Sequence, residues 1–237
     1  MDIPGTILQE AFAHAAATWP EECCACVIQD AQGLRYVKMR NIAQRPQEDF
    51  EPHPDDLAGA EDAGEPVLLV HSHVLSGVRP SIADRTACEE TGLPWLIVNR
   101  EGATHLIEPC GYKAPLEGRP YRYGIHDCAT LLRDWYATEK GLYVEIPHST
   151  YGWWQRGENL YEDHLRAAGF AEVQNRNKLQ RGDILLFITE GSTPHHAAVF
   201  LGDGYVLQHL RDRDSAKTTY GHYWRVRTHS AWRLACE

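Results

Sequence analysis

Between Cys110 and Pro120 the chain reads CGYKAPLEGRP, punctuated by Gly111, Pro115, Gly118 and Pro120, and no helical or strand period runs through it. A stretch of that kind cannot sit inside a hydrophobic core. The chain is therefore expected to fold as two units, a first domain over residues 1–110, a linker over 111–120 and a second domain over 121–237. With 237 residues, 43% of them apolar, and seven tryptophans, a core can form without staples. Seven cysteines, with Cys23, Cys24 and Cys26 crowded onto one predicted strand, read as small buried residues rather than a disulfide framework. The formal charge of −10 leaves no broad basic surface for phosphate backbones, so nucleic acid is disfavoured as a partner and recognition of an anionic polymer must be local. No apolar run reaches membrane-spanning length, and Met1 to Trp19 lacks the basic start and continuous apolar core of a signal peptide. No membrane insertion is expected, and folding is expected in a cytoplasm.

In the first half, Ile7, Leu8, Phe12 and Ala15 or Ala16 share one face of a predicted helix over residues 3–18, which stops before Pro20. Strands are predicted over 23–29 and 34–39, about the turn Asp30-Ala31-Gln32-Gly33. Residues 41–66 are polar, acidic and proline-rich, with one short helix expected near 55–62. The apolar run Val67-Leu68-Leu69-Val70 then reads as a buried strand, with His71-Ser72-His73 at its C-terminal end. Residues two apart on a strand project to one face, so these imidazoles can converge on one divalent ion. After a turn, Ser81 is an N-cap for a helix over 82–91 whose first turn carries Asp84 back toward the strand end. A further strand is predicted over 95–99. Two imidazoles and one carboxylate leave a tetrahedral Zn2+ with an open position, as hydrolytic sites have. Taken separately, His-x-His and Ser-x-x-Asp are common, the second as an ordinary capping arrangement.

Together they form a longer pattern, His-x-His, seven residues, then Ser-x-x-Asp, which resembles the zinc signature of the JAMM (MPN) metalloprotease family. The resemblance extends from Glu22 in PEECCACVI through Asn41 and Phe50 and covers residues 1–110. It implies an α/β domain with a mixed sheet flanked by helices, Zn2+ held by His71, His73 and Asp84, a proton carrier in Glu22 and an oxyanion donor in Ser81. Glu21 competes with Glu22, which is preferred because it lies two residues before Cys24. The reaction implied is hydrolysis of an amide or isopeptide bond, zinc bringing the pKa of water down to about 7.

In the second half, Leu131, Leu132, Trp135 and Tyr136 repeat at helical spacing, with Asp127 as N-cap and Gly141 as C-terminal stop. Cys128 falls in the first turn, where unsatisfied amides and the helix dipole favour a thiolate. Arg181-Gly182-Asp183 leads into a strand ending at Phe187, and residues 195–208 read as a hairpin turning at Gly202-Asp203-Gly204. A histidine heading that hairpin can take the thiol proton. Asp-Cys at a helix start, Gly-Asp before a strand and His leading a hairpin resemble the NlpC/P60 family of papain-like cysteine peptidases, many of which cut peptidoglycan stem peptides. The resemblance implies Cys128 as nucleophile, His196 rather than His195 as its base, and Gln208 as the residue that orients the imidazole. His209 is the alternative, decided by register: a two-residue turn pairs Ala198 with His209, a three-residue turn with Gln208. The clusters at 151–154 and 220–224 are expected to be core and edge aromatics.

The fold class expected is α+β, with a JAMM-like domain followed by a papain-like NlpC/P60 domain. That order in one chain is similar to a family of tail assembly proteins of lambda-like bacteriophages. The resemblance implies a wall-directed peptidase, with peptidoglycan stem peptides and other phage tail tip proteins as partners. It would be made in the host cytoplasm, carried at the virion tail tip and active at the cell wall.

Overall fold

The computed structural model describes residues 2–75, 77–145, 149 and 151–235. The chain divides into two compact units, Met1–Lys113 and Ala114–Glu237. In the first, α1 (Gly5–Thr18) precedes the hairpin β1 (Cys24–Asp30) and β2 (Gly33–Met39), followed by α2 (Pro54–Ala63), β3 (Glu65–Ser72), α3 (Ile82–Thr91), β4 (Trp95–Val98) and β5 (Thr104–Ile107). These make a mixed five-stranded sheet in the order β2-β1-β3-β4-β5, in which only β3 and β4 are parallel. Strand alternation decides what each face holds. Ala25, Val27, Leu68, Val70, Leu96 and Val98 meet Ile7, Ala11 and Ala15 of α1 in one core. The intervening residues of β3, Leu69 and His71, belong to the opposite face.

The second unit contains α4 (Cys128–Lys140), α5 (Leu160–Ala167), β6 (Phe170–Glu172), β7 (Ile184–Phe187), β8 (His196–Gly202), β9 (Tyr205–Gln208), β10 (Ala216–Thr219), the short α6 (His222–Arg225) and β11 (Thr228–Leu234). Its six-stranded sheet runs β10-β9-β8-β7-β11-β6 and is antiparallel throughout. Leu131, Leu132, Trp135 and Tyr136 of α4 pack on Ile184, Leu186, Ala197 and Val199. The other face carries Leu185, Phe187, Ala198, Phe200 and Val206 against Tyr220 and Trp224.

The stretch read as a linker has no helix or strand, but it is anchored. The Glu89 carboxylate accepts from the amides of Cys110, Gly111 and Tyr112 at 2.6, 3.0 and 3.0 Å. Arg119 is 1% exposed, paired with Asp134 at 2.5 Å and donating to the Pro115 and Ala114 carbonyls. Residues 114–120 therefore belong to the second unit, because a buried guanidinium needs all its donors met locally.

Three buried histidines make the fold acid-sensitive. Burial first, then Lys38, pushes His14 down to about 4. Burial and Arg119 push His126 to about 4, and burial does the same to His196, also to about 4. Each ring is neutral in the folded chain and takes up a proton on unfolding below its ordinary value near 6.5. Between about 6.5 and 4 the unfolded chain thus binds more protons. Stability is full above that window and is lost as pH falls through it. Denaturant midpoints measured at several pH values across the window should fall steadily; midpoints independent of pH there would contradict the neutral, buried assignment.

Candidate active sites in the two units

The first site grows out of the end of β3. His71 and His73 leave this strand on the same face, and their Nε2 atoms lie 3.2 Å apart. From the start of α3, Asp84 brings Oδ1 to 3.4 Å from His71 Nε2 and Oδ2 to 3.3 Å from His73 Nε2. The helix places Asp84 through a capping box: the Ser81 hydroxyl accepts from the Asp84 amide at 3.0 Å, and the Asp84 carboxylate accepts from the Ser81 amide at 2.6 Å. Phe50 stacks on the His71 ring at 4.4 Å and Trp95 meets it edge-on at 5.5 Å. His73 Nδ1 lies 3.0 Å from the Gly77 carbonyl, which sets its ring orientation. His71 Nδ1 is buried without a hydrogen-bond partner among the described residues.

The residues fit a zinc ion. Ligand atoms about 2.0 to 2.2 Å from a tetrahedral zinc stand about 3.3 Å from one another, and the separations here are 3.2, 3.3 and 3.4 Å. Among the described residues, His71, His73 and Asp84 are the one group of His, Cys, Asp and Glu side chains close enough to share a metal. The electrostatics agree with the donor set. Burial by itself raises the Asp84 pKa, yet the hydrogen bonds with His71 and His73 and the Ser81 amide hold it well below the carboxylate range. Burial lowers His71 and outweighs the pull of Asp84. At His73 burial also works downward, but Asp84, the Gly77 carbonyl and Glu22 together raise it.

Glu22 is buried, whereas Glu21 is exposed. Cys24 pairs with His71 in the β1–β3 ladder, so continuing that register by two places sets Glu22 across from His73. Its backbone is pinned by the Pro46 carbonyl at 2.6 Å and by the Asn41 side chain at 2.9 Å. Cys23, Cys24 and Cys26 are buried and free, and burial raises all three thiols, Cys23 and Cys26 to about 11 and Cys24 to about 12.

The second site is built at the start of α4. Asp127 caps the helix, its Oδ1 accepting from the Ala129 and Thr130 amides at 2.9 Å each and its Oδ2 from the Gly124 amide at 2.8 Å. Cys128 follows, and its sulfur lies 3.1 Å from the Tyr161 hydroxyl. Cys128, His196, Tyr121, Tyr161 and Trp154 line one cavity of about 350 Å³. In the β8–β9 hairpin Ala198 pairs with Gln208, with a register shift before Gly202, so Gln208 and not His209 shares the face of His196. Gln208 Oε1 is 2.9 Å from His196 Nε2, and Gln208 Nε2 donates to Thr218 Oγ1 at 2.7 Å. The Thr218 contact orients the amide so that its oxygen faces the ring. Phe187 and Trp224 pack against that ring at 5.5 and 5.6 Å. His195 is engaged elsewhere, stacked on Trp154 at 5.2 Å and 2.8 Å from Thr189 Oγ1.

In one respect the site differs from the helix-dipole argument, which favours a thiolate at Cys128. Burial, followed by the adjacent Asp127 carboxylate, pushes the thiol up to about 11, against the smaller opposing effects of the Tyr161 hydroxyl and the Ala197 amide. With His196 pushed down to about 4, the resting pair is thiol and neutral imidazole. A helix terminus contributes a fraction of a charge, too little to offset desolvation and a full neighbouring carboxylate.

Tyr151 and Trp154, from the 151–154 cluster expected to hold core and edge aromatics, also line this cavity, as does Tyr161, which lies outside that cluster and which no motif of the sequence singles out. Trp153 does lie in the core, at 5% exposure. Four-residue spacing of Tyr161 and Leu165 marks a short helix, but its eight residues are too few for a periodic signal.

Over 220 residues the chain is 36% identical to "Tail tip assembly protein K" of Escherichia phage N15, spanning 92% of this chain and 89% of that protein. The chain belongs to the tail tip assembly protein K family. The protein of the same description from Escherichia phage lambda is 40% identical over 182 residues, 76% of this chain and 87% of its own length. The family model for prokaryotic homologs of the JAB domain matches residues 4–108, and that for the NlpC/P60 family matches residues 118–233. Each match falls within one unit, so the chain is a mixed α/β protein with an N-terminal JAB-like domain and a C-terminal NlpC/P60 domain.

Proposed function

We propose that this chain is a tail tip peptidase that hydrolyses amide bonds of peptidoglycan stem peptides at Cys128, assembles with other tail tip proteins, and opens the wall locally as the genome enters. The observation that carries the reading is the hydrogen bond between His196 Nε2 and Gln208 Oε1 beside the cavity that Cys128 lines. With its Nε2–H donated to Gln208, the neutral imidazole keeps an unprotonated Nδ1 as the base for the thiol proton. Gln208 orients the ring but carries no charge to stabilise imidazolium, which makes the site dependent on neutral donors around the sulfur.

The first unit is proposed to be a second, zinc-dependent (iso)peptidase site. His71, His73 and Asp84 would hold the ion. A zinc ion supplies Lewis-acid chemistry, acidifying water and polarising a carbonyl. The Glu22 carboxylate is buried beside His73, where it can accept a proton and return it to a leaving amine. Ser81 keeps its hydroxyl hydrogen free of the Asp84 amide it caps, so that hydrogen is available to an oxyanion.

Digestion of purified peptidoglycan with the full chain tests the wall reading. Mass spectrometry of the released fragments should show new amine and carboxyl ends within the stem peptides and intact glycan strands. Undigested wall, together with retained incorporation into tails, would favour an assembly factor whose clefts bind without cutting.

A further inference from the structure

Tyr161 stands on α5, outside the motifs that identify the second unit, yet its hydroxyl lies 3.1 Å from Cys128 Sγ. Its ring is 6% exposed and packs edge-on against Trp153 at 5.6 Å, so the core fixes where the oxygen sits. Among the described residues the sulfur is the one hydrogen-bond partner of that oxygen. A core position that needs only an aromatic ring takes phenylalanine without the cost of burying a hydroxyl. The hydroxyl is therefore to be explained at the sulfur.

We propose that Tyr161 is a catalytic residue of the Cys128 site, donating its O–H to the sulfur as the thiol becomes a thiolate. The inference rests on Cys128 being the nucleophile. In the resting thiol the phenol oxygen can accept from S–H. When the proton passes to His196, the phenol turns and donates to the anion, a stronger bond than the one it replaces. The sulfur lone pair then forms the C–S bond while the carbonyl π pair moves to oxygen. On collapse the C–N bond breaks, and the amine leaves with the proton held by His196. Tyr161 keeps its own proton throughout, since burial, then the charge at Cys128, raises its pKa well above the ordinary value. The role answers a need of this site: Asp127 opposes the anion, and Gln208 brings no charge to stabilise the imidazolium formed with it.

The test uses the full chain. Iodoacetamide alkylation of Cys128 is followed by mass spectrometry of the peptide that contains it, alongside kcat and KM for wall cleavage. In Tyr161→Phe the alkylation rate at a fixed, mildly alkaline pH should fall by about threefold to tenfold, the loss of a bond to a charged sulfur being partly offset by higher intrinsic nucleophilicity. Wall cleavage should fall about tenfold in kcat with KM unchanged. Replacing Tyr161 by 3-fluorotyrosine, which keeps the ring and strengthens the donor, should speed alkylation, a change that simple packing would not produce. Unchanged alkylation in both variants would overturn the proposal. Retained wall cleavage in Cys128→Ala would instead overturn the reading of the nucleophile on which it rests.

Discussion

Cys128→Ala is expected to reduce stem-peptide cleavage on the order of 10⁴-fold or more, because among the described residues Cys128 supplies the thiol that lines the cavity, and a hydroxyl is a far weaker nucleophile near neutral pH. His196→Ala should cost nearly as much, and the double variant little more than either single one, since the two groups act as a unit. That non-additivity is informative. If the losses multiplied, the sulfur and the imidazole would be serving separate steps. Gln208→Ala is expected to be milder, because it frees the ring to choose the other tautomer without removing the base. All four chains should keep the same thermal midpoint within a few degrees, so that activity and folding are read apart. A Cys128→Ala chain that still cuts purified wall would sink the assignment.

Metal removal is expected to be the second large effect. Elemental analysis of the full chain purified without chelator should find close to one zinc per chain, and His71→Ala, His73→Ala and Asp84→Ala should each abolish it. A ligand that binds the folded state alone stabilises by about 4 kcal/mol when free at about a thousand times its Kd. Chelation should therefore lower the unfolding midpoint of the first unit, while the three variants, already without metal, should not respond. The expected loss exceeds an ordinary surface substitution because the donors are crowded: two Nε2 atoms 3.2 Å apart share a single carboxylate. A wild-type chain with no zinc and no response to chelation would remove the hydrolytic reading of the first unit, leaving the second untouched.

Much of the first site was legible in residue spacing. Two histidines at the end of a strand must share a face, and a serine three residues before an aspartate at a helix start must form a cap, because both follow from local backbone geometry. Resemblance in spacing prefers Glu22 over Glu21, but the physical reason that separates the two is not local. It depends on the β1–β3 register, which buries one carboxylate next to His73 and leaves its neighbour in water.

In the second unit the sequence by itself determined the helix that starts at Cys128, its Asp127 cap and the hairpin headed by His196, since caps, turns and alternation act over a few residues. Only the tertiary structure decided which residue orients His196. The bulge before Gly202 sets whether Gln208 or His209 faces the ring, and a turn of either length fits the same letters. Tertiary structure also decided the charge state of Cys128. A helix start favours an anion, but the burial and the neighbouring carboxylate that reverse this exist only once the chain has packed, because desolvation is a property of surroundings and not of spacing.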